Sequence, residues 1–316
     1  MPFSTNALVN LALLGSATAL NPHDGAHALG QDQSRWSTQD GLLHFDGTPT
    51  VLHGLGSTCT EYLLRGIGEA CFCDYNWNDD ANLIAELDAD QVENGIIRYL
   101  NPLAEQFDLH HNDPNSNGAA ATPAVRIPMT ASSWLNVTTK AAGGNMAKYA
   151  DLGGQYQSFI ASLVGNYSAN GIVSILDLHW SDDDTEQQPM ALKVRQDGGP
   201  TGNALDFWDS VSQKFKDNDM VFYELYNEPH TDVATWMNGT SQYAGMLEMM
   251  AAVRKNAPSA VLVVAGAAAY AYDADSLVQL DQHLKQMGET NVMYNFHPYM
   301  GPNQVSSEIN LSRLDR

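Results

Sequence analysis

Short apolar runs alternate with amphipathic stretches along most of this chain. The runs are rich in Val, Ile, Leu and aromatic residues, which favours buried strands. They lie at about 51–56, 124–127, 171–178, 220–226, 260–265 and 291–296. Between them, apolar positions recur at helical spacing over about 146–167, 204–216, 241–256 and 276–287. Uniformly apolar strands separated by helices predict a parallel sheet that is covered on its faces.

The number of strand–helix units indicates the architecture. Six strands can be counted in this way, whereas a closed (β/α)8 TIM barrel has eight. The sequence therefore predicts an α/β fold of the (β/α)8 TIM barrel class, incomplete here, with about six of the eight β/α units. The long interval at about 57–123, which holds one helical stretch at 82–100, is interpreted as an insertion. The missing strands would leave two sheet edges unpaired.

The first forty residues differ from the rest of the chain. Residues 7–19 are apolar and end in Ala-Thr-Ala, which predicts a signal peptide at 1–19, although residues 1–6 contain no Lys or Arg. A polar segment at 20–40 is expected to be irregular, and the barrel domain would occupy 41–316. Asp46 and Gly47 separate two short apolar runs, which predicts a tight hairpin at the start of that domain.

The charge balance narrows the range of partners. The chain has 37 acidic and 15 basic residues, for a net charge of −22 and a pI near 4.5. Such a surface repels phosphate backbones and anionic lipids, so neither nucleic-acid nor membrane binding is expected, and we expect a monomer. Four Asn-x-Ser/Thr sequons support a secreted, extracellular protein. They begin at Asn136, Asn166, Asn238 and Asn310.

The three cysteines do not suggest a metal site. Cys59 could form a disulfide with either Cys71 or Cys73, and each pairing leaves one thiol over. No Cys and His spacing typical of zinc ligands occurs in the sequence.

Polar residues gather where the predicted strands end. Taken singly, a histidine or an arginine more often has a structural role than a catalytic one. Because the carboxyl ends of barrel strands face one cavity, however, residues at four such ends are expected to meet in one site. These residues are Arg126, then His179 and Trp180, then Asn227 and Glu228, and finally His297 and Tyr299.

Four sequence strings at these ends resemble the motifs of a known family. They are VRIP at 125–128, ILDLHW at 175–180, YELYNEPH at 223–230 and NFHPY at 295–299. In this order, at one per strand, they are similar to the second, third, fourth and sixth strand motifs of glycoside hydrolase family 5, the cellulase family of clan A. The resemblance covers about 40–305 apart from the insertion. It implies retaining hydrolysis of β-glycosidic bonds in a polysaccharide or oligosaccharide, with no metal or organic cofactor.

The resemblance also implies a role for each residue of the fourth and second motifs. Glu228 matches the acid/base, which protonates the leaving oxygen and then activates water. Asn227 would bond to the sugar 2-hydroxyl, and Arg126 would lie beside the nucleophilic carboxylate and lower its pKa. Glu224 precedes Glu228 on the same side of the strand and is interpreted as a deeper barrel residue or a structural partner.

The third and sixth motifs would supply supporting groups. The resemblance implies that His179 and His297 orient carboxylates and sugar hydroxyls, and that Tyr299 bonds to the nucleophile. Trp134 and Trp180 follow strands and could stack on sugar rings.

One part of the family pattern is missing. A retaining mechanism needs a second carboxylate about 5 Å from the first, and in the family it ends the seventh strand. After Tyr299 the chain has one glutamate, Glu308, with no apolar strand before it. We therefore expect that the nucleophile is absent from this chain, that the parent protein is longer, and that residues 1–316 alone have almost no activity.

Four other functions remain open. A β-mannanase or a β-1,3-glucanase of the same clan differs from a β-1,4-glucanase only in its substrate subsites. A noncatalytic carbohydrate-binding relic would keep the fold without the chemistry. A metal-dependent barrel hydrolase could use His179 and His297, but the sequence lacks a His-x-His pair after the first strand. The favoured hypothesis is an endo-acting β-1,4-glucanase.

Overall fold

The strands form one eight-stranded sheet in sequence order. The structure is a computed structural model that describes residues 34–56, 60–62, 120–137, 153–181, 188–195, 198, 202–268 and 270–297. β1 (Trp36–Gln39), β2 (Leu42–Phe45) and β3 (Thr48–Gly56) pair antiparallel. From β3 onward the pairing is parallel, through β4 (Ala120–Thr130), β5 (Val173–Trp180), β6 (Val221–Glu224), β7 (Leu262–Ala265) and β8 (Val292–Asn295).

Helices connect the parallel strands. In the part of the chain that is described they are α1 (Ala131–Leu135), α2 (Gly153–Ala169), α3 (Ala204–Phe215), α4 (Val233–Asn238), α5 (Met246–Arg254) and α6 (Ala274–Met287). A 3₁₀ turn, Thr60–Tyr62, follows β3. The six parallel strands are the six that the sequence predicts. This nearly closed sheet with its helices confirms the (β/α)8 barrel class, with about six of the eight units.

Successive side chains of each strand alternate in direction, which creates two environments, one outside and one inside the barrel. Ile127, Leu176, Tyr223 and Val264 lie on the outer side and are buried in the larger core, together with residues of the helices. The positions between them face the barrel interior, because successive side chains of a strand point to opposite faces. Near the carboxyl ends of the strands these interior positions are polar. The outer side therefore holds the fold together, and the inner side is available for chemistry.

Two tight turns build the N-terminal hairpin. Asp40 and Gly41 have φ angles of 52° and 75°, and Asp46 and Gly47 have φ angles of 49° and 75°. Positive φ at both central residues is the two-residue turn that Asp-Gly favours. The second turn confirms the predicted hairpin. The expectation that 20–40 is irregular was wrong for β1, because the first Asp-Gly pair extends the hairpin by another strand.

This hairpin closes the amino-terminal end of the barrel. The Trp36 ring lies 5.0 Å from that of Phe222 in an edge-to-face arrangement, and both are buried in a second core cluster with residues of β4, β5 and β7. Asn291, just before β8, accepts a hydrogen bond from the Thr38 backbone and donates one to the Trp36 carbonyl. The two outer strands of the described sheet are thus tied together, which the sequence analysis did not anticipate.

One helix starts later than its pattern predicts. The stretch 241–256 was expected to be helical throughout, whereas α5 begins at Met246. The hydroxyl of Thr240 accepts hydrogen bonds from the backbones of Gln242 and Tyr243, which holds those residues in a turn. The Glu248 carboxylate then accepts from the Gly245 backbone and caps the helix. Local side-chain bonds therefore replace the first helical turn.

Several predictions lie outside the described residues. They concern the signal peptide at 1–19, the three cysteines, most of the insertion, and Tyr299. Within the described ranges, no helix is both long enough and apolar enough to cross a membrane.

Candidate active site

Arg126 of β4 binds two carboxylates at the carboxyl end of the sheet. Its Nε donates to Glu224 Oε2 at 2.6 Å and its Nη2 to Glu224 Oε1 at 2.9 Å. Nη2 also lies 2.9 Å from Asp177 Oδ2. The side chain of Glu224 is 1% exposed and that of Asp177 is 0% exposed. Burial lowers the pKa of Arg126, but the charges of Asp177 and Glu224 outweigh it and raise that pKa above its ordinary value. Arg126 is therefore a permanent cation between two buried anions.

The expected partner of Arg126 was a different carboxylate. The resemblance implied that it lies beside the nucleophile, whereas the structure pairs it with Asp177 and Glu224. Glu224 is thus a deeper residue bound to Arg126, which is one of the two interpretations that the sequence left open. An influence of Arg126 on a nucleophile stays a prediction.

The orientation of Asn227 follows from its bond to Arg126. Asn227 Oδ1 lies 2.8 Å from Arg126 Nη2 and must accept, because a guanidinium has only donors. Asn227 Nδ2 then faces His179 Nε2 at 3.3 Å and donates to it. His179 Nδ1 lies 2.7 Å from Asp177 Oδ2. The imidazole is therefore the Nδ1–H tautomer, which accepts from Asn227 and donates to Asp177.

Glu228 is also bound by a histidine whose other ring nitrogen accepts from an asparagine amide. Asn295 Nδ2 donates to Glu224 Oε1 at 2.6 Å and lies 3.0 Å from His297 Nε2. Because the amide donates to Nε2, the proton of His297 is on Nδ1, and it is donated to Glu228 Oε1 at 2.9 Å. Each histidine thus links an asparagine amide to a carboxylate.

These bonds form one network across β4, β5, β6 and β8. It joins five of the eight predicted site residues: Arg126, His179, Asn227, Glu228 and His297. The Glu228 side chain is 17% exposed, against 1% for Glu224 at the end of β6. Of the two glutamates, Glu228 is therefore the one that a bound molecule can reach.

Of the two tryptophans, Trp134 is not placed as expected. Trp134 is fully buried, its Nε1 donates to Ser210, and its ring packs against Phe207 of α3. The expectation that it stacks on a sugar was wrong, because the short helix α1 turns its ring into the core between helices. Trp180 is 7% exposed, and its ring is perpendicular to that of His179, with centroids 5.0 Å apart. Stacking of Trp180 on a sugar stays a prediction.

Two network residues were missed by the sequence analysis. Asp177 and Asn295 each lie two positions before a histidine, at residues 179 and 297 respectively. That spacing puts them on the same inward face as the histidines. The signal was therefore present in the strand period.

An exposed aromatic residue near Glu228 was also missed. Tyr270 is 41% exposed, and its ring stacks on His230 with centroids 4.5 Å apart and planes at 27°. His230 Nδ1 lies 3.0 Å from the Glu228 carbonyl oxygen. The loop after β7 that presents Tyr270 has positive φ at Ala268, Tyr270 and Ala271, a conformation that is uncommon for residues other than glycine. No sequence pattern marks that conformation.

The histidines are already engaged by protein groups. Both ring nitrogens of His179 and of His297 lie within hydrogen-bond distance of network residues. Over the described residues, no group of three or more His, Cys, Asp or Glu side chains is placed to hold a metal ion. A metal at either histidine would have to displace part of the network.

A family comparison decides what this network belongs to. The sequence model described as cellulase (glycosyl hydrolase family 5) matches residues 117–312, which is more than half of the chain and includes every residue of the network. The chain belongs to glycosyl hydrolase family 5. This match confirms the resemblance that the four motifs show in the sequence.

Relatives of this family 5 chain include two enzymes named endoglucanase A. The one from Butyrivibrio fibrisolvens is 35% identical over 99 residues, or 31% of this chain and 20% of that protein. The one from Evansella cellulosilytica is 32% identical over 98 residues, or 31% of this chain and 18% of that protein. Each match thus covers about a fifth of the relative's length. A solved endocellulase from Pyrococcus horikoshii, in complex with cellotetraose, aligns at 17% identity with a TM-score of 0.48, over 84% of this chain and 69% of that one.

Proposed function

We propose that this family 5 protein is a retaining, endo-acting glycoside hydrolase that cleaves β-1,4-glucan, with Glu228 as its acid/base. The proposal depends on one observation: the partly exposed carboxylate of Glu228, four residues after β6, is bound by His297 inside a network that includes Arg126 and Asn227. The family model described as cellulase, together with the two relatives named endoglucanase A, supports β-1,4-glucan over the mannan and β-1,3-glucan alternatives.

The geometry around Glu228 suits proton transfer. His297 donates to Oε1, which leaves Oε2 to carry the proton that passes to the leaving oxygen. After the sugar leaves, the same carboxylate would accept a proton from the attacking water. Asn227 uses one amide hydrogen for His179, and its second can donate to the sugar 2-hydroxyl as charge develops in the transition state.

Neither of the two carboxylates bound to Arg126 can serve as the nucleophile. Glu224 and Asp177 are 1% and 0% exposed and are fixed by the guanidinium, so neither can reach an anomeric carbon. We propose that the nucleophile is a carboxylate outside the described residues. That no residue of 1–316 fills this role stays a prediction.

The test uses the complete gene product on three substrates: β-1,4-glucan, β-1,4-mannan and β-1,3-glucan. We expect fastest turnover on β-1,4-glucan, with internal cleavage and a first-formed product whose new anomeric centre is β by proton NMR. An α product formed first would contradict retention. Faster turnover of mannan or β-1,3-glucan would favour those rivals, and oligosaccharide binding without turnover would favour the relic.

Tyr270 offers a contact for the sugar chain. We expect Tyr270→Ala to raise KM for cello-oligosaccharides about five- to tenfold, because an aromatic contact contributes about 1 kcal/mol. Tyr270→Phe keeps the ring and should stay within about twofold of the native KM. Steady-state kinetics of both variants make the check. A native KM for the alanine variant would show that no sugar contacts this ring.

A further inference from the structure

The chain around Glu228 lies beyond the regular part of the sheet. β6 ends at Glu224, four residues earlier, and the Asn227 N–H donates to the Leu178 carbonyl of β5 at 3.1 Å. A general acid has to transfer its proton from a well-defined position, because a misplacement of about 1 Å can cost about 10²-fold in rate. The contacts that hold Glu228 in place therefore matter for the proposed chemistry.

The loop after β5 binds the chain on both sides of Glu228. Gln188 and Pro189 of this loop, here called the clamp, present two adjacent backbone carbonyls. The Tyr226 hydroxyl donates to the Gln188 carbonyl at 2.8 Å, and the His230 N–H donates to the Pro189 carbonyl at 3.0 Å. Tyr226 lies two residues before Glu228, and His230 lies two residues after it. The clamp thus brackets the proposed acid/base.

The clamp is held in turn by other parts of the fold. The N–H of Ser181, directly after β5, donates to Gln188 Oε1 at 2.8 Å, and the Leu192 N–H donates to Ser181 Oγ at 2.7 Å. The Ala244 N–H donates to the Ala191 carbonyl at 2.8 Å, which ties the loop to the chain before α5. The two carbonyls of the clamp therefore have a defined position, and a segment bound to them shares it.

Tyr226 can act on the site through its hydroxyl alone. Its side chain is 0% exposed and lies in the larger core, whereas Glu228 on the neighbouring stretch of chain is partly exposed in the site. A bound sugar therefore cannot touch the Tyr226 ring. Phenylalanine would fill the same space, so what tyrosine adds at this position is the hydrogen bond to the clamp.

We propose that Tyr226 is a positioning residue of this site. Its bond to the clamp, together with that of the His230 backbone, fixes the position from which Glu228 reaches His297 and the leaving oxygen. The effect on turnover rests on the proposed function. The effect on the bond between Glu228 and His297 does not, because that bond exists in the protein without substrate.

The kinetic experiment uses Tyr226→Phe in the complete gene product. We expect kcat on β-1,4-glucan to fall about tenfold, because the acid/base loses part of its support. KM should stay within about twofold of the native value, because the buried ring contacts no sugar. A folded Tyr226→Phe with native kcat would overturn the proposal.

Tyr156→Phe is the matched control. The Tyr156 hydroxyl is also buried and donates to a backbone carbonyl, that of Thr60 at 3.1 Å, but the turn Thr60–Tyr62 carries no residue of the network. Both variants lose the same kind of bond, so both should lose a similar amount of stability in denaturant unfolding. Only Tyr226→Phe should lose kcat. An equal loss of kcat in both would overturn the proposal, because it would show a general effect of stability.

A second readout does not depend on turnover. The Nδ1 proton of His297 donates to Glu228 Oε1, so we expect a downfield proton resonance that is protected from exchange with water. Tyr226→Phe should shift this resonance upfield and speed its exchange, and Tyr156→Phe should leave it unchanged. An unchanged resonance in Tyr226→Phe would overturn the proposal. If the native protein hydrolyses no glucan, the proposed function is refuted and this resonance alone decides the inference.

A second variant tests the clamp if Tyr226→Phe does not fold. Gln188→Met keeps the length of the side chain but removes the oxygen that accepts from the Ser181 N–H, which loosens the clamp from its other side. It should shift the His297 resonance in the same direction and lower kcat. A native resonance in Gln188→Met would show that the clamp does not position Glu228.

Discussion

Glu228→Gln should lower kcat on β-1,4-glucan by about 10²–10⁴-fold, the range over which general acid catalysis contributes. Glutamine keeps the shape of the side chain and can still accept from His297 Nδ1, which donates to Glu228 Oε1 at 2.9 Å. It cannot release a proton to the leaving oxygen. Because the change removes the proton and little else, we expect the loss in kcat and not in substrate affinity.

The leaving group distinguishes an acid from a residue with a structural role. An aryl cellobioside with a strongly acidic phenol needs little protonation, so Glu228→Gln should form the covalent intermediate from it at a rate close to the native one. Azide should then rescue turnover by attacking that intermediate in place of activated water. Asp209→Asn, the same chemical change at the surface, should keep native kinetics on both substrates. An equal loss on both substrates, with no rescue, would contradict the acid/base assignment.

The strands and the network were predictable because both follow from a period of two residues. Apolar residues such as Leu176 and Leu178 mark the outer face of β5, and the positions between them point inward. Once parallel strands are established, polar residues at their carboxyl ends must meet. Arg126, His179 and Glu228 could therefore be placed in one site from sequence alone.

The partners within the site could not be predicted in the same way. Arg126 is long enough to reach several carboxylates, and the choice of Glu224 and Asp177 depends on the register between β4, β5 and β6. Tyr270 depends on left-handed backbone in a loop, and no residue type there signals it. Trp134 was misplaced because a five-residue helix begins directly after β4 and buries its ring.

The arrangement explains why the site has so many buried polar groups. Each amide of Asn227 and Asn295 fixes one histidine tautomer, and each histidine then presents its proton to a carboxylate. One end of this network is Asp177, which is buried, and the other is Glu228, which a substrate can reach. The cost of burying these groups is offset only while every member keeps its partner.

Arg126→Met should therefore destabilise the protein by about 3–5 kcal/mol, because it leaves two buried carboxylates without their cation. Methionine is similar in length and fills much of the space, so the effect arises from charge more than from a cavity. Denaturant unfolding at pH 7 measures it. Arg35→Met is the matched control, since Arg35 also binds one carboxylate with two nitrogens but at the surface, with side chains 36% and 52% exposed. An exposed pair of this kind contributes about 0–1 kcal/mol.

Two further measurements separate electrostatics from packing. If repulsion between Glu224 and Asp177 causes the loss, the double variant Arg126→Met/Glu224→Gln should recover part of the stability at pH 7, because it removes one of the two unpaired charges. The single variant Glu224→Gln, measured in the same way, completes the double-mutant cycle. A loss that is not reduced by Glu224→Gln would mean that Arg126 acts through packing. The network would then be a consequence of the fold and not a condition for it.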